Sequence, residues 1–305
     1  ENRQKSKWKP GDVIPIALKM SGYRTPGPMT TAVFTGRYRR DDYHIEKYFL
    51  EGKRTYPLPF LLVKPEGPGP FPVAVYLHDE DKNKEAYPGG EIEWFVKKGY
   101  MVIAPDLPGR GEIGAEQFRG DSYNFGPGGR ASYNTWFLSV HIARSILGIQ
   151  TADIIRILDY ISNRGDANKQ KIIGIARGDV CPVLTQAAAL DQSIKKIALI
   201  QPLVSNNSLV LNQYYQSKYI LTAVAGSVGQ YDLPDLYATI APRKLLLVNV
   251  MNQIGRPMRK KDLESDFAII NSTYKNFHAA ERFNIMEMES YHTLDDILTD
   301  WLTSE

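Results

Sequence analysis

Cysteine is almost absent from this sequence: Cys181 stands alone, which rules out an internal disulfide and leaves the compartment open. Long apolar runs are missing too. No window approaches the roughly eighteen uninterrupted apolar residues of a membrane span, and the first ten residues, ENRQKSKWKP, carry no apolar signal core. The sequence therefore reads as a soluble chain without a membrane partner. Nor is there an excess of one charge. The formal net charge is +3, from dispersed Lys and Arg, which gives no footprint for nucleic acid. The one basic cluster, RPMRKKD, reads as the solvated start of a helix. His44, His78, His141 and His278 fall at no metal-ligand spacing, and the acidic stretch DEDKNKE has no second His or Asp cluster to complete a cation site. The pattern calls for no metal and no cofactor, and DEDKNKE reads as a solvated loop.

What is present is enough apolar material for a sizeable core: 305 residues, 43% of them hydrophobic. DYHIEKYFLEG and YPLPFLLVKPEG read as neighbouring strands, followed by the turn GPGPF and the apolar run Val73 to Leu77. Strands and helices then alternate: YMVIAPD a strand, RSILGIQTADIIRILDYIS a helix, KIIGI and KKIALIQP strands. Ile154, Ile157, Leu158 and Ile161 recur at helical spacing, which places them on one face. The last third repeats the rhythm with RKLLLVNV, a long helix carrying Leu263, Phe267, Ile270 and Phe277, then RFNIMEM, then Leu294 to Trp301. The expectation is an α/β fold with a mostly parallel sheet and helices on both faces. Residues 1–40 are expected to form an extension packed on a domain spanning 41–305. Two long loops, following YMVIAPD and preceding RKLLLVNV, are expected to shape a cleft.

The stretch KIIGIARGD raises the chemical question. Gly174-Ile175-Ala176-Arg177-Gly178 has the frame G-x-S-x-G of a nucleophile elbow, with alanine where the serine belongs. Together with GPFPVAVYLHD, GYMVIAPDLPGRGEIG, LPDLYATIAPRKLLLVN and ESYHTL, this frame makes the chain from about residue 41 onward resemble the α/β-hydrolase superfamily, in its acetyl-xylan-esterase-like carbohydrate esterase branch.

That resemblance implies a serine activated by a histidine, an acid to hold the histidine, and two backbone N–H groups for the oxyanion. By position it assigns Ala176 to the nucleophile, His292 to the general base and Asn252 to the acid. Asp79 stands where the family has a glycine at the oxyanion loop, and Arg177 lies beside the same cleft. A carboxylate near that hole repels a developing oxyanion. Asp106 is expected to brace its loop rather than react, Asp232 and Asp235 to cap a helix, and Cys181 to pack in the core. Pro182 implies that the elbow helix starts late.

Three functional readings follow. In the first, the domain is catalytically degenerate and binds carbohydrate or supports a neighbouring catalytic domain. In the second, it is a working serine esterase on acetylated polysaccharide, with Ala176 an engineered replacement. In the third, it is a carbohydrate-binding module using Tyr123, Phe125, Tyr133 and Trp136, with Tyr214 and Tyr215 from the second insertion, and with packing of Trp136 and Phe137 onto the domain as the competing role. A small ester is the alternative ligand. The resemblance also implies a periplasmic or secreted location.

Overall fold

The computed structural model describes residues 10–27, 31–51, 56–114, 133–288 and 293–304. Nine strands form one sheet in the order β1-β2-β3-β5-β4-β6-β7-β8-β9. The antiparallel end comprises β1 (Ala32–Arg39), β2 (Tyr43–Leu50) and β3 (Leu58–Pro65), with β3 antiparallel to β5 (Met101–Pro105). Beyond it β4 (Phe71–Leu77), β6 (Ala167–Arg177), β7 (Ile194–Ile200), β8 (Lys244–Val248) and β9 (Phe283–Met286) run parallel. β5 and β8 are buried at every position, as strands covered on both faces must be.

The helices are α1 (Pro10–Ser21), α2 (Glu91–Lys97), α3 (Tyr133–His141), α4 (Ile146–Ser162), α5 (Cys181–Leu190), α6 (Asn207–Leu211), α7 (Leu233–Ala238), α8 (Ala268–Asn276) and α9 (Leu294–Thr303). Strand alternation divides the core between the two faces of the sheet. Val73, Val75 and Leu77 of β4 join Ile154, Ile157 and Leu184 of α4 and α5. Ala74 and Tyr76 of the same strand join Ile92 and Phe95 of α2, with Leu298 and Trp301 of α9. The α/β expectation, with helices on both faces, holds. Among the described residues no helix is long and apolar enough to cross a membrane.

Two boundaries differ from the sequence reading. β1 pairs antiparallel with β2, with one bulge between Phe34 and Gly36, so the division expected at residue 40 falls inside a hairpin of the same sheet. The long helix expected through Leu263 and Phe277 is broken: a 3-10 turn covers Lys260–Leu263 and α8 begins only at Ala268. The intervening Glu264, Ser265 and Asp266 include short polar side chains that compete with the helical backbone for hydrogen bonds. Phe277 ends up exposed just beyond α8.

Candidate functional site

The strand-to-helix turn after β6 lies two residues later than the elbow frame suggests. Ala176 is fully buried inside β6, with its Cα in register with Leu77 on one side and Leu199 on the other. The left-handed residue of the turn is Gly178, at φ +71°. A 3-10 turn over Gly178–Val180 leads into α5, which starts at Cys181 with Pro182 in its first turn. An elbow nucleophile belongs on the strained turn, exposed above the sheet. The residue holding that place is a glycine.

The two glycines of the frame therefore have separate duties. A Cβ on Gly174 would meet Leu184 at 2.9 Å and Ile194 at 3.3 Å, so its bareness lets α5 lie close on the sheet. Gly178 supplies the turn. A Cβ there would lie 2.1 Å from Asp79 Oδ2 and 2.5 Å from its Cγ. The carboxylate of Asp79 thus fills the volume that a side chain at the elbow would need.

Cations hold it there. Lys218, from the second long insertion, donates to Asp79 Oδ2 at 3.1 Å, and Arg110 donates to the Asp79 carbonyl. Burial opposes the charge of Asp79, yet Lys218 and Arg110 outweigh it and hold the carboxyl below its usual range. Arg110 also donates to Asp179 Oδ2 at 2.8 Å. Burial pushes the Asp179 carboxyl up against the pull of Arg110. Asp179 Oδ1 and Arg110 Nε are buried without a hydrogen-bond partner. Thr222 Oγ1 donates to the Asp179 carbonyl at 2.9 Å, so the insertion touches the elbow at two points.

His78 lies next to this cluster. Its Nδ1 accepts the Glu80 N–H at 3.0 Å, which puts the ring proton on Nε2, and burial lowers its pKa. The 3.3 Å approach of Nδ1 to Asp79 Oδ1 is therefore a contact rather than an ion pair. Arg177, expected beside the oxyanion, is drawn instead to the start of α2, where it donates to Glu91 Oε1. Tyr76 donates to the other oxygen of Glu91 at 2.7 Å. Cys181 is buried with its thiol directed at the Ala176 carbonyl, 3.4 Å away, and burial pushes its pKa well above the usual value.

Asn252 spends its side-chain carbonyl on its own loop, accepting the N–H groups of Ile254 at 3.1 Å and Arg256 at 2.9 Å. His292, Tyr123 and Phe125 lie outside the described residues. Tyr133 and Trp136 begin α3; the Trp136 indole donates to the Ala223 carbonyl at 3.0 Å, which is the packing role. Asp232 and Asp235 form the capping box of α7. Asp106 braces its loop, accepting the N–H groups of Lys82 at 2.8 Å and Glu112 at 3.0 Å together with the Lys82 ammonium at 2.6 Å. DEDKNKE is thus more than a solvated loop, since it contributes both buried Lys82 and Asp79.

Sequence reasoning missed Gly178, Lys218 and Arg110. A signal for the first was present: Pro182 must lie in the first turn of α5, which puts the preceding turn at 178–180. Nothing local marks Lys218 or Arg110, which reach the site from distant loops.

A parallel sheet with an antiparallel end and a strand-to-helix turn after a central strand are now in view. The fold is that of the α/β-hydrolases. No family profile and no curated protein sequence matches the chain. Solved structures of this fold do. A candidate acetyl xylan esterase from Bacteroides fragilis superimposes with a TM-score of 0.72 at 16% identity, over 95% of this chain and 78% of that one. A glucuronoyl esterase from Solibacter usitatus gives 0.63 at 13% identity, over 97% and 91%. An acetyl xylan esterase from Paenibacillus sp. gives 0.61 at 16% identity, over 98% and 94%. At these identities the likeness is one of fold, in the esterase-like form of the α/β-hydrolase architecture.

Proposed function

We propose that this domain is a catalytically silent, esterase-like α/β-hydrolase that binds carbohydrate or supports a neighbouring catalytic domain in the periplasm or outside the cell. One observation carries the reading: at the turn where an elbow nucleophile would stand there is a glycine, and the Asp79 carboxylate fills the vacated volume. An acyl-enzyme needs a nucleophile, and Gly178 has none. An oxyanion formed there would face an ionised carboxylate in place of a preorganised donor. The other nucleophile-bearing side chains touching the elbow are engaged, Thr222 with the Asp179 carbonyl and Cys181 with the core. The carbohydrate part of the proposal leans on likeness in fold to the acetyl xylan and glucuronoyl esterases.

The same geometry speaks against an engineered knockout at Ala176. A serine there would be buried within β6, two residues before the turn.

The test is turnover of nitrophenyl acetate and acetylated xylan, measured against heat-denatured protein, for the wild type, Ala176→Ser, Gly178→Ser and Gly178→Ser with Asp79→Gly. The first three are expected at background, and only the double variant is expected to show a trace. Saturable wild-type activity that His292→Ala abolishes, or strong activity from Ala176→Ser alone, would overturn the proposal.

A further inference from the structure

The two long insertions do more than border the elbow. Phe137, Leu138 and Ile142 stand exposed on and just after α3, and Val210, Leu211 and Tyr214 stand exposed on and after α6. These are six of the fourteen large apolar side chains exposed among the described residues. α3 packs on the second insertion, where the Trp136 indole donates to the carbonyl of Ala223, twelve residues beyond Leu211. Tyr133 also lies close enough to Tyr215 that the neighbouring phenol, after burial, helps push its pKa up.

Composition sharpens the point. Charged residues make up 23% of the chain, yet residues 133–143 and 203–217 contain no Asp, Glu, Lys or Arg. A surface that is apolar, aromatic and depleted of charge has the composition of an interface core. Aliphatic Leu138, Ile142, Val210 and Leu211 suit a protein surface better than a sugar ring, which stacks on aromatic faces.

We infer that this surface is where a second copy of the chain docks. A patch without charge meets its own image without like-charge repulsion, whereas a charged partner would find nothing to pair with. Exposed amides such as Gln213 carry both donor and acceptor groups and can pair across a two-fold axis. The exposed parts of these side chains amount to several hundred Å2, on the order of the ~800 Å2 per partner of a standard interface. The result is an isologous dimer joined through the insertions.

The experiment is light scattering after size exclusion, with sedimentation velocity, on the full chain from about 1 to about 100 μM, a range that brackets micromolar association. The wild type is expected to run as a dimer. Leu138→Glu and Leu211→Glu are each expected to weaken it about tenfold or more, as a charge buried at an interface core does. Both side chains are exposed in one copy, so the melting of the isolated chain should be unchanged. Phe277→Glu, an exposed apolar site elsewhere, should leave the dimer intact. A wild type that stays monomeric at the highest concentration, or a dimer that survives both insertion variants, would overturn the inference. So would a monomer whose retention on neutral xylan is lost in Tyr214→Ala, since the patch would then be a sugar platform. None of these outcomes depends on whether the elbow is silent.

Discussion

Gly111 and Gly178 each hold a left-handed backbone, at φ +49° and +71°, and at each a carboxylate lies where a Cβ would be: Asp106 Oδ1 and Asp79 Oδ2, both 2.1 Å away. The two sites look alike in outline and differ in how the charge is settled. Asp106 is served by two backbone N–H groups and a buried ammonium from Lys82, whose side chain is only 2% exposed. Asp79 is held by Lys218, whose side chain is 40% exposed, and the neighbouring Asp179 and Arg110 retain buried atoms with no partner. A buried carboxylate that is fully served braces a loop. The incompletely served cluster surrounds a glycine turn, and a half-exposed lysine from an insertion supplies the counter-charge there.

The largest effect should come from the served site. Asp106→Ala leaves Lys82 buried beside Glu112 alone and strands two backbone donors, so urea unfolding should show a loss of about 3–5 kcal/mol. Asp153 falls between the two sites. It accepts from Tyr56 and Arg156, yet burial raises its pKa to about 6. A carboxyl whose folded pKa lies above its unfolded value binds its proton more tightly when folded. Its contribution is therefore fully present below about pH 4 and is lost as pH rises through about 6. Stability measured across that window should fall with pH by this component, and Asp153→Asn should flatten it; an unchanged slope would remove Asp153 from the account. The smallest effect belongs to the elbow. Asp79→Ala frees a lysine that water already reaches, and the cost should stay below about 1 kcal/mol. A loss equal to that of Asp106→Ala would erase the contrast between the sites.

Much of the scaffold was legible in the sequence because its signals are local. Alternation of β-branched strands with an amphipathic helix at Ile154 to Ile161 gives the parallel sheet, and the order of elements gives the α/β class. The capping box of Asp232 and the burial of Cys181 were readable for the same reason. The elbow was readable only in part. Two glycines four residues apart satisfy the frame, but one of them, Gly174, is there to let Leu184 and Ile194 approach, and spacing alone does not separate packing from turning. The approach of Asp79 to Gly178 joins the end of β4 to the end of β6, and Lys218 reaches it from an insertion that no periodicity positions. Such contacts are set by tertiary packing, which leaves no mark in a short window of residues.

The central claim is that Asp79 occupies the side-chain volume of the elbow residue, and a double-mutant cycle of Gly178→Ala and Asp79→Gly, read by urea unfolding, addresses it most directly. Alone, Gly178→Ala should cost about 1–3 kcal/mol from its left-handed backbone and more from the clash with the carboxylate. With Asp79→Gly the clash disappears and only the backbone cost is left, so the two changes should couple by about 0.5–3 kcal/mol in the relieving direction. Additivity within about 0.3–0.5 kcal/mol would mean that the carboxylate does not fill that space, and would contradict the account.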